Sequence, residues 1–193
     1  MRIGDIFGVI PAAGLSSRTG NFKPALLIRG KPLIACAIES MVAWCREIIV
    51  VGGYNIETIR ELTRHYANVR VVCNPHYATG MFGSVKVGIR QGTGQWFFLV
   101  PGDCPSIDPA VYETLLDSRD RDPTQTIFIP VKDGRHGHPV LMHRRHIPDI
   151  LREPEESNLK LFINRHNFFS VEVNDPGILF DVDTMADYEF AVK

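Results

Sequence analysis

The chain has 193 residues, of which 45% are hydrophobic and 22% are charged, and its formal net charge is −1. These values are typical of a globular domain that needs neither disulfides nor a structural metal, and they exclude a generally basic nucleic-acid-binding protein. No apolar run approaches the roughly 18 residues that span a bilayer, so we do not expect a membrane as a partner. Because the net charge is close to zero, we do not expect a nucleic acid as a partner either. Four cysteines without paired or ligand-like spacing indicate a reducing compartment, the cytoplasm.

Apolar runs typical of strands alternate with segments of helical periodicity along the first two thirds of the chain. Strands that are apolar throughout are buried on both faces, so this order predicts an α/β fold with a doubly wound, mostly parallel sheet. Asp108 is a natural cap for the last of these helices. The predicted strands are 6–11, 47–51, 69–73, 96–100 and 126–131, and the predicted helices are 32–45, 56–66, 80–90 and 109–118.

The alternation ends after residue 131, where a polar loop begins. No linker or internal repeat follows, so we expect a single domain over residues 1–193. Thr184 is a plausible cap for a final helix. The remaining predicted elements are a short apolar stretch, helical segments, two strands joined by a turn and the last helix: 140–143, 144–166, 168–173, 178–183 and 184–192.

The loop after the first strand has the composition of an anion-binding turn. Small residues let successive backbone N–H groups approach a phosphate closely, and Arg18 and Lys23 supply positive charge for a polyphosphate. The glycine spacing fits neither a Walker A motif nor a dinucleotide fingerprint. A flexible loop with two unrelated cations is the alternative interpretation. The small residues of this loop are Ala12, Ala13, Gly14, Ser16 and Ser17.

Three acidic residues predict a divalent metal site. Asp103 directly follows the strand 96–100, and ligands of open α/β sheets bind at the carboxyl ends of the strands. Asp181 and Asp183 alternate along the predicted strand 178–183, which gives them one common face. Mg²⁺ needs only one or two carboxylates together with substrate phosphates. The alternative is that Asp103 forms a turn and Asp183 caps a helix.

Two further polar segments are candidates for substrate contacts. The turn at 74–83, with Ser84 opening the next helix, presents a hydroxyl and free N–H groups to a base or ribose, although routine helix capping also explains it. The loop at 134–139 carries Arg135 and His138 and predicts a cationic surface for an anionic acceptor, with a solvated hairpin tip as the alternative. The four histidines between 136 and 146 lack intervening acidic or cysteine ligands, so we do not expect zinc.

Several of these segments together resemble one known family. The run AAGLSSRTG at 12–20, followed by Lys23, resembles the signature of nucleotidyltransferases that activate small molecules with a nucleoside triphosphate. Within them, the pattern is most similar to the molybdenum cofactor cytidylyltransferases and the MobA-like guanylyltransferases. The resemblance covers nearly the whole chain, in the same order, at 30–33, 74–84, 101–105, 137–139 and 181–184.

The resemblance implies a Rossmann-like nucleotidyltransferase fold and transfer of CMP from CTP to a molybdopterin-type cofactor, with Mg²⁺ or Mn²⁺ as the cofactor. It implies metal binding by Asp103 with Asp181 or Asp183, catalytic roles for Arg18, Lys23 and Asp103, and acceptor contacts by Arg135 and His138. Residues 1–105 would form the nucleotide-binding part and 106–193 the acceptor-binding, metal-completing part. The nucleotide-binding residues would be Ala12, Ala13, Gly14, Ser16, Ser17, Arg18, Lys23, Asn74, Gly80 and Ser84.

Three alternatives stay open at this point. The same scaffold can serve another phosphorylated acceptor, such as a sugar phosphate, methylerythritol phosphate or phosphocholine, or it can use GTP in place of CTP. A protein of a different class, a non-catalytic accessory that delivers a cofactor to a molybdenum hydroxylase, is the third. Residues 132–168, which would select the acceptor, carry too little pattern to decide between them.

Overall fold

The structure, a computed structural model, describes residues 5–14 and 22–192, and its centre is a sheet of eight strands. The strand order is β10-β7-β9-β6-β1-β4-β5, with β8 paired to β7 and with β2 and β3 forming a separate hairpin. The bounds that these labels denote are β1 Ile6–Pro11, β2 Leu27–Ile28, β3 Lys31–Pro32, β4 Glu47–Gly52, β5 Val69–Cys73, β6 Trp96–Leu99, β7 Ile127–Lys132, β8 Arg135–His136, β9 Val140–His143 and β10 Phe169–Glu172.

Within the eight-stranded sheet, most neighbouring strands run parallel, as the sequence predicts. The pairs β1–β4, β1–β6, β4–β5 and β7–β10 are parallel, whereas β9 lies antiparallel between β6 and β7. The short strand β8 also pairs antiparallel with β7. Because β1 lies between two parallel neighbours, the loop that follows it opens at the same edge of the sheet as the segments after β4 and β6.

Helices cover both faces of the sheet, which confirms the doubly wound architecture. On one face α1, α2 and α4 pack on residues such as Phe98, and on the other α3, α5 and α6 pack on residues such as Phe97. These two phenylalanines are adjacent in β6 and fully buried, and each contributes about 1.5–3 kcal/mol of hydrophobic stabilisation. The helices are α1 Leu33–Met41, α2 Ile56–Thr63, α3 Met81–Ile89, α4 Pro109–Arg121, α5 Ile147–Arg152, α6 Leu159–Ile163 and α7 Met185–Ala191.

Two predicted helix caps are confirmed. Asp108 accepts a hydrogen bond from the Ala110 N–H at 2.8 Å, and Thr184 forms a reciprocal capping box with Asp187 at the start of α7. Within the described part of the chain, no helix combines the length and the apolar character needed to cross a membrane.

The predicted strand at 178–183 is wrong. Pro176–Leu179 form a 3₁₀ turn instead, and the Asp175 carboxylate opens it by accepting the Gly177 N–H at 2.8 Å. A proline has no N–H for a sheet, and an aspartate cap stabilises the turn, so the local chemistry favours a turn over a strand. The segment after it is anchored where the Val182 N–H donates to the Asp103 carbonyl at 2.9 Å.

Helix α3 approaches the sheet most closely at Gly88. A Cβ at this position would overlap the Val9 Cγ1 atom and lie 3.0 Å from Val51 Cγ2. We expect Gly88→Ala to lower the free energy of unfolding by about 1–3 kcal/mol, because the added methyl group overpacks the interface between helix and sheet. Chemical denaturation of the purified variant measures this change.

Gly83, in the same helix, is the matched control for that substitution. A Cβ there would make only ordinary contacts, 3.4 Å from the Thr79 Oγ1 atom and 3.6 Å from the Asn74 Nδ2 atom. Gly83→Ala should therefore stabilise the protein by up to about 1 kcal/mol, since alanine favours the helix over glycine. Equal effects of the two substitutions would contradict the assigned packing of α3.

Candidate active site

A pocket of about 190 Å³ opens at the carboxyl ends of β1 and β6. Its position follows from backbone contacts between the two strand ends: the Gly102 N–H donates to the Pro11 carbonyl at 3.1 Å, and a Cβ on Gly102 would lie only 3.0 Å from the Ala12 Cβ. The close approach brings Asp103 beside the first loop. The residues that line the pocket are Pro11, Ala12, Ala13, Gly14, Lys23, Pro24, Tyr77, Gly80, Met81, Ser84, Gly102 and Asp103.

Lys23 contacts acidic residues from two distant segments of the chain at this pocket. It begins a short 3₁₀ turn with Pro24 and Ala25, and its Nζ atom lies 2.9 Å from Asp183 Oδ1 and 3.8 Å from Asp103 Oδ2. The side chains of Lys23 and Asp103 are only 15% and 21% exposed, so this ion pair is poorly screened by solvent. The predicted cation and two of the three predicted acids therefore share one site.

The start of α7 holds Asp183 in place. The Asp187 carboxylate accepts the N–H groups of Asp183 and Thr184 at 3.2 and 2.7 Å, and Thr184 Oγ1 accepts the Asp187 N–H at 3.2 Å. Asp183 is thus positioned by a helix cap, although it is not the capping residue itself. Asp187 is a positioning residue that our sequence analysis missed, and the spacing Thr184-x-x-Asp187 is the signal that could have found it.

The acids at this pocket interact electrostatically. Burial raises the pKa of Asp103 above its ordinary value, and the Lys23 ammonium opposes that shift. Burial and the neighbouring charge of Asp183 also raise the pKa of Asp181. Carboxylates whose pKa values are raised by burial and mutual repulsion are stabilised by any cation that binds among them.

The donor set fits a hard divalent cation that is held partly by bound phosphates. Asp103 and Asp183 flank the same ammonium group, and carboxylate oxygens are the ligands that Mg²⁺ and Mn²⁺ prefer. Among residues 5–14 and 22–192, no three His, Cys, Asp or Glu side chains already surround a common point as a preformed metal site. The remaining ligands of an ion at this pocket would come from water and from substrate phosphates.

The other end of the pocket is formed by the first turn of α3. Gly80 precedes this helix with a φ of 122°, a conformation that favours glycine, and Met81 and Ser84 line the wall together with Tyr77. Neither Tyr77 nor Met81 was predicted as a site residue. Asn74, a predicted nucleotide ligand, is 2% exposed and lies behind Ser84, to which its Nδ2 atom donates at 3.0 Å.

A second, larger cavity of about 740 Å³ adjoins the pocket, and the two share Pro11 and Met81. Its wall includes the predicted acceptor residues Arg135 and His138, and also Asp181, which faces this side of the site. Its other lining is mostly apolar, with Lys160 as a further cation, and includes Phe82, Leu99, Ile129, Leu159, Ile163, Phe168, Ile178 and Leu179.

His138 is uncharged at neutral pH. Burial lowers the pKa of its imidazole to about 4, and its Nδ1 atom has no hydrogen-bond partner within the described residues. Its backbone N–H donates to the Ile178 carbonyl at 2.9 Å, which fixes the loop against the turn before Asp181. The roles predicted for Arg135 and His138 at an anionic acceptor stay predictions, and of the two side chains the guanidinium of Arg135 is the cation.

Comparison with known proteins shows the family. The family model for the MobA-like NTP transferase domain matches residues 8–169. The chain belongs to this family. The molybdenum cofactor cytidylyltransferase of Escherichia coli is 28% identical over 180 residues, which cover 93% of this chain and 92% of that protein. The molybdenum cofactor guanylyltransferase of Vibrio vulnificus is 27% identical over 161 residues, 80% of this chain and 77% of that protein.

Solved structures share the fold of this MobA-like transferase. The crystal structure of Rv0371c from Mycobacterium tuberculosis superposes with a TM-score of 0.83 at 23% identity, covering 97% of this chain and 98% of that chain. A manganese complex of the same protein superposes with a TM-score of 0.78 at 20% identity, covering 97% of both chains. These structures show the Rossmann-like α/β fold, and the family match shows that the protein is a nucleotidyltransferase.

Part of the predicted site of this MobA-like transferase lies outside the described residues. Ser16, Ser17 and Arg18 belong to that part, so their roles stay predictions. Of the remaining predicted nucleotide ligands, all but Asn74 line the smaller pocket. The three predicted metal ligands divide between the two openings, with Asp103 on the pocket, Asp181 on the cavity and Asp183 bonded to Lys23.

Proposed function

We propose that this MobA-like transferase transfers CMP from CTP to the terminal phosphate of a molybdopterin-type cofactor. The observation that carries the proposal is the convergence of Lys23, Asp103 and Asp183 at one pocket, although Lys23 and Asp183 are 160 positions apart. A cation and partly buried acids beside a loop of small residues are the groups that a triphosphate with its metal ion requires.

The proposed reaction needs little covalent chemistry from the protein. An acceptor phosphate oxygen forms a bond to the α-phosphorus of CTP, the bond from that phosphorus to the bridging oxygen breaks, and pyrophosphate leaves with the electron pair. The attacking oxygen is already anionic, so no general base is required. Catalysis therefore consists of positioning the reactants and neutralising their charge.

The residues of the pocket divide this work. Lys23, together with the predicted Arg18, neutralises negative charge on the α-phosphate and on the leaving pyrophosphate. The backbone of the loop from Ala12 through the predicted Ser16 and Ser17 holds the triphosphate. Asp103, with Asp181 or Asp183, would hold Mg²⁺ or Mn²⁺, which when bound supplies further positive charge to the phosphate oxygens.

The larger cavity is the proposed acceptor site. Its apolar walls suit a flat ring system, and Arg135 and Lys160 suit the anionic groups of a phosphorylated cofactor. His138 contributes an uncharged imidazole to this lining. In this proposal residues 1–105 supply the nucleotide pocket, and residues 106–193 supply most of the acceptor cavity and the acids that complete the metal site.

The relatives support CTP more strongly than GTP as the nucleotide substrate. The cytidylyltransferase relative matches more of the chain than the guanylyltransferase relative does. The hypothesis of a non-catalytic delivery protein for a molybdenum hydroxylase has lost its support, because the chain belongs to a family of transferases. Other phosphorylated acceptors remain competitors that an assay must separate.

The cysteines support a reducing compartment, and we propose the cytoplasm. Cys36, Cys45, Cys73 and Cys104 are all free thiols. Burial raises the pKa of Cys45 and of Cys104, so these thiols stay protonated and unreactive. Cys104 is therefore not a nucleophile, despite its place beside Asp103.

An assay of pyrophosphate release tests the proposed function. The purified protein is incubated with CTP, GTP, ATP or UTP and with molybdopterin, a sugar phosphate, methylerythritol phosphate or phosphocholine, in the presence of Mg²⁺ or Mn²⁺. We expect CTP with molybdopterin to exceed every other pair by about 100-fold, because a site that hydrogen-bonds a base rejects bases of the wrong pattern. Faster release with another acceptor would replace the proposal, and tight nucleotide binding without any release would favour a carrier.

A further inference from the structure

The pair formed by Asn74 and Ser84 lies directly beneath the nucleotide pocket. Ser84 is in the first turns of α3 and lines the pocket, yet only 1% of it is exposed. Asn74 follows β5, and its backbone N–H donates to the Gly52 carbonyl at 2.8 Å, which anchors it at the end of the sheet. A polar side chain that is buried in this way satisfies its hydrogen-bonding groups with protein atoms and not with solvent.

The orientation of the Asn74 amide is determined by its neighbours. The His76 backbone N–H lies 3.0 Å from Asn74 Oδ1, and a backbone N–H can only donate. The oxygen of the amide must therefore face His76, and the Nδ2 group faces Ser84 Oγ at 3.0 Å. Because an amide nitrogen can only donate, Ser84 Oγ accepts this hydrogen bond.

The proton of the Ser84 hydroxyl is then directed away from Asn74. Among residues 5–14 and 22–192, Ser84 Oγ has no hydrogen-bond partner other than Asn74. A hydroxyl group that accepts from one side keeps its own proton for another acceptor, and a nearly buried donor without one is costly. The pocket that Ser84 lines is the place where a ligand can supply that acceptor.

We propose that Asn74 sets the polarity of Ser84, so that the Ser84 hydroxyl donates to an unprotonated ring nitrogen of the bound base. This inference rests on the proposed use of CTP, for which the matching atom is N3 of cytosine. Uracil carries an N–H at the same ring position, and two donors that face each other leave both unsatisfied. Asn74 is thus a positioning residue for base selection that never touches the nucleotide.

The ratio of CTP to UTP affinity is the measurement that tests the relay. Both nucleotides carry the same ribose and triphosphate. A charge that a substitution adds near the phosphates therefore changes both affinities by the same factor and leaves their ratio unchanged. In Asn74→Asp the new carboxylate still accepts a hydrogen bond from the His76 N–H. It also accepts one from the Ser84 hydroxyl, whose proton then no longer points to the base. We expect this variant to lower the CTP to UTP affinity ratio, measured by calorimetry with Mg²⁺, by about tenfold or more.

A double-mutant cycle distinguishes positioning from a purely structural role. Ser84→Ala should lower the same ratio by a similar factor, and Asn74→Asp should cause no further change in the Ser84→Ala background. Asn174→Asp is the matched control, because it adds the same charge while its side-chain oxygen still accepts from Lys132 Nζ. The control should keep the wild-type ratio.

The outcomes separate this inference from the proposed function. A wild-type protein that binds no nucleoside triphosphate overturns both. A wild-type protein that prefers CTP while Asn74→Asp keeps that preference, or additive effects in the cycle, overturns only the relay. If the buried carboxylate prevents folding, 3-deazacytidine triphosphate, which has a C–H in place of N3, tests the same donor: equal binding of it and CTP by the wild type overturns the relay.

Discussion

Asp103→Asn is expected to lower the rate of pyrophosphate release by about 10³-fold and to abolish most of its response to added Mg²⁺ or Mn²⁺. The substitution keeps the shape of the side chain but removes the charge that a divalent ion requires. Lys23 keeps its bond to Asp183 at 2.9 Å, and the Val182 N–H keeps its bond to the Asp103 backbone, so the site stays assembled.

The readout for Asp103→Asn is turnover as a function of metal concentration, combined with a denaturation curve. We expect the free energy of unfolding to change by no more than about 1 kcal/mol, since the side chain is at the pocket edge and not in the core. Asp108→Asn is the matched control, because asparagine caps the N-terminus of α4 as well as aspartate does. A variant at Asp103 with near-normal turnover would remove this residue from the catalytic machinery.

The central sheet was predictable because its strands are specified locally. Apart from Glu47, the runs Glu47–Gly52 and Trp96–Leu99 are apolar, which is the pattern that two covered faces require. The antiparallel strand Val140–His143 was foreseen only as an apolar stretch, since its direction depends on pairing with Trp96–Leu99. Local periodicity does not indicate which distant strand a segment pairs with, and therefore does not indicate its direction in the sheet.

The segment that carries Asp181 and Asp183 shows where local pattern misleads. Alternation of acids around Val182 predicted a strand, and the alternation itself is confirmed, because Val182 is fully buried between two more exposed acids. The segment is held by the backbone hydrogen bond from Val182 to Asp103, by the Asp187 cap and by the bond between Asp183 and Lys23. Such tertiary contacts give an extended segment the alternation of buried and exposed side chains that is typical of a strand, although the segment pairs with no strand in the described part of the chain.

Side-chain orientation was the least predictable part of the site. His138 lines the larger cavity and Asn74 lies behind Ser84 of the smaller pocket, but both are polar groups whose roles depend on burial. Asn74 turns inward to Ser84, and His138 loses its charge to desolvation. Neither effect can be derived from composition, because each depends on which neighbours remove water from the side chain.

Lys23→Met should lower turnover by about 10²- to 10³-fold and raise the Michaelis constant for the nucleotide by about tenfold. Methionine matches the length of lysine but cannot neutralise a phosphate. An effect on both parameters distinguishes a residue that contacts the triphosphate in the ground and transition states from one that only holds the acids apart.

Lys31→Met is the control for Lys23→Met. Lys31 also pairs with a carboxylate, Glu39, but its side chain is 59% exposed against 15% for Lys23, and surface ion pairs contribute about 0–1 kcal/mol. Turnover of the control should therefore match the wild type. If both lysine variants behave alike, the Lys23 ion pair is structural. A loss confined to Lys23→Met ties the Lys23 ammonium to the phosphates, since Lys23 lines the pocket and Lys31 does not.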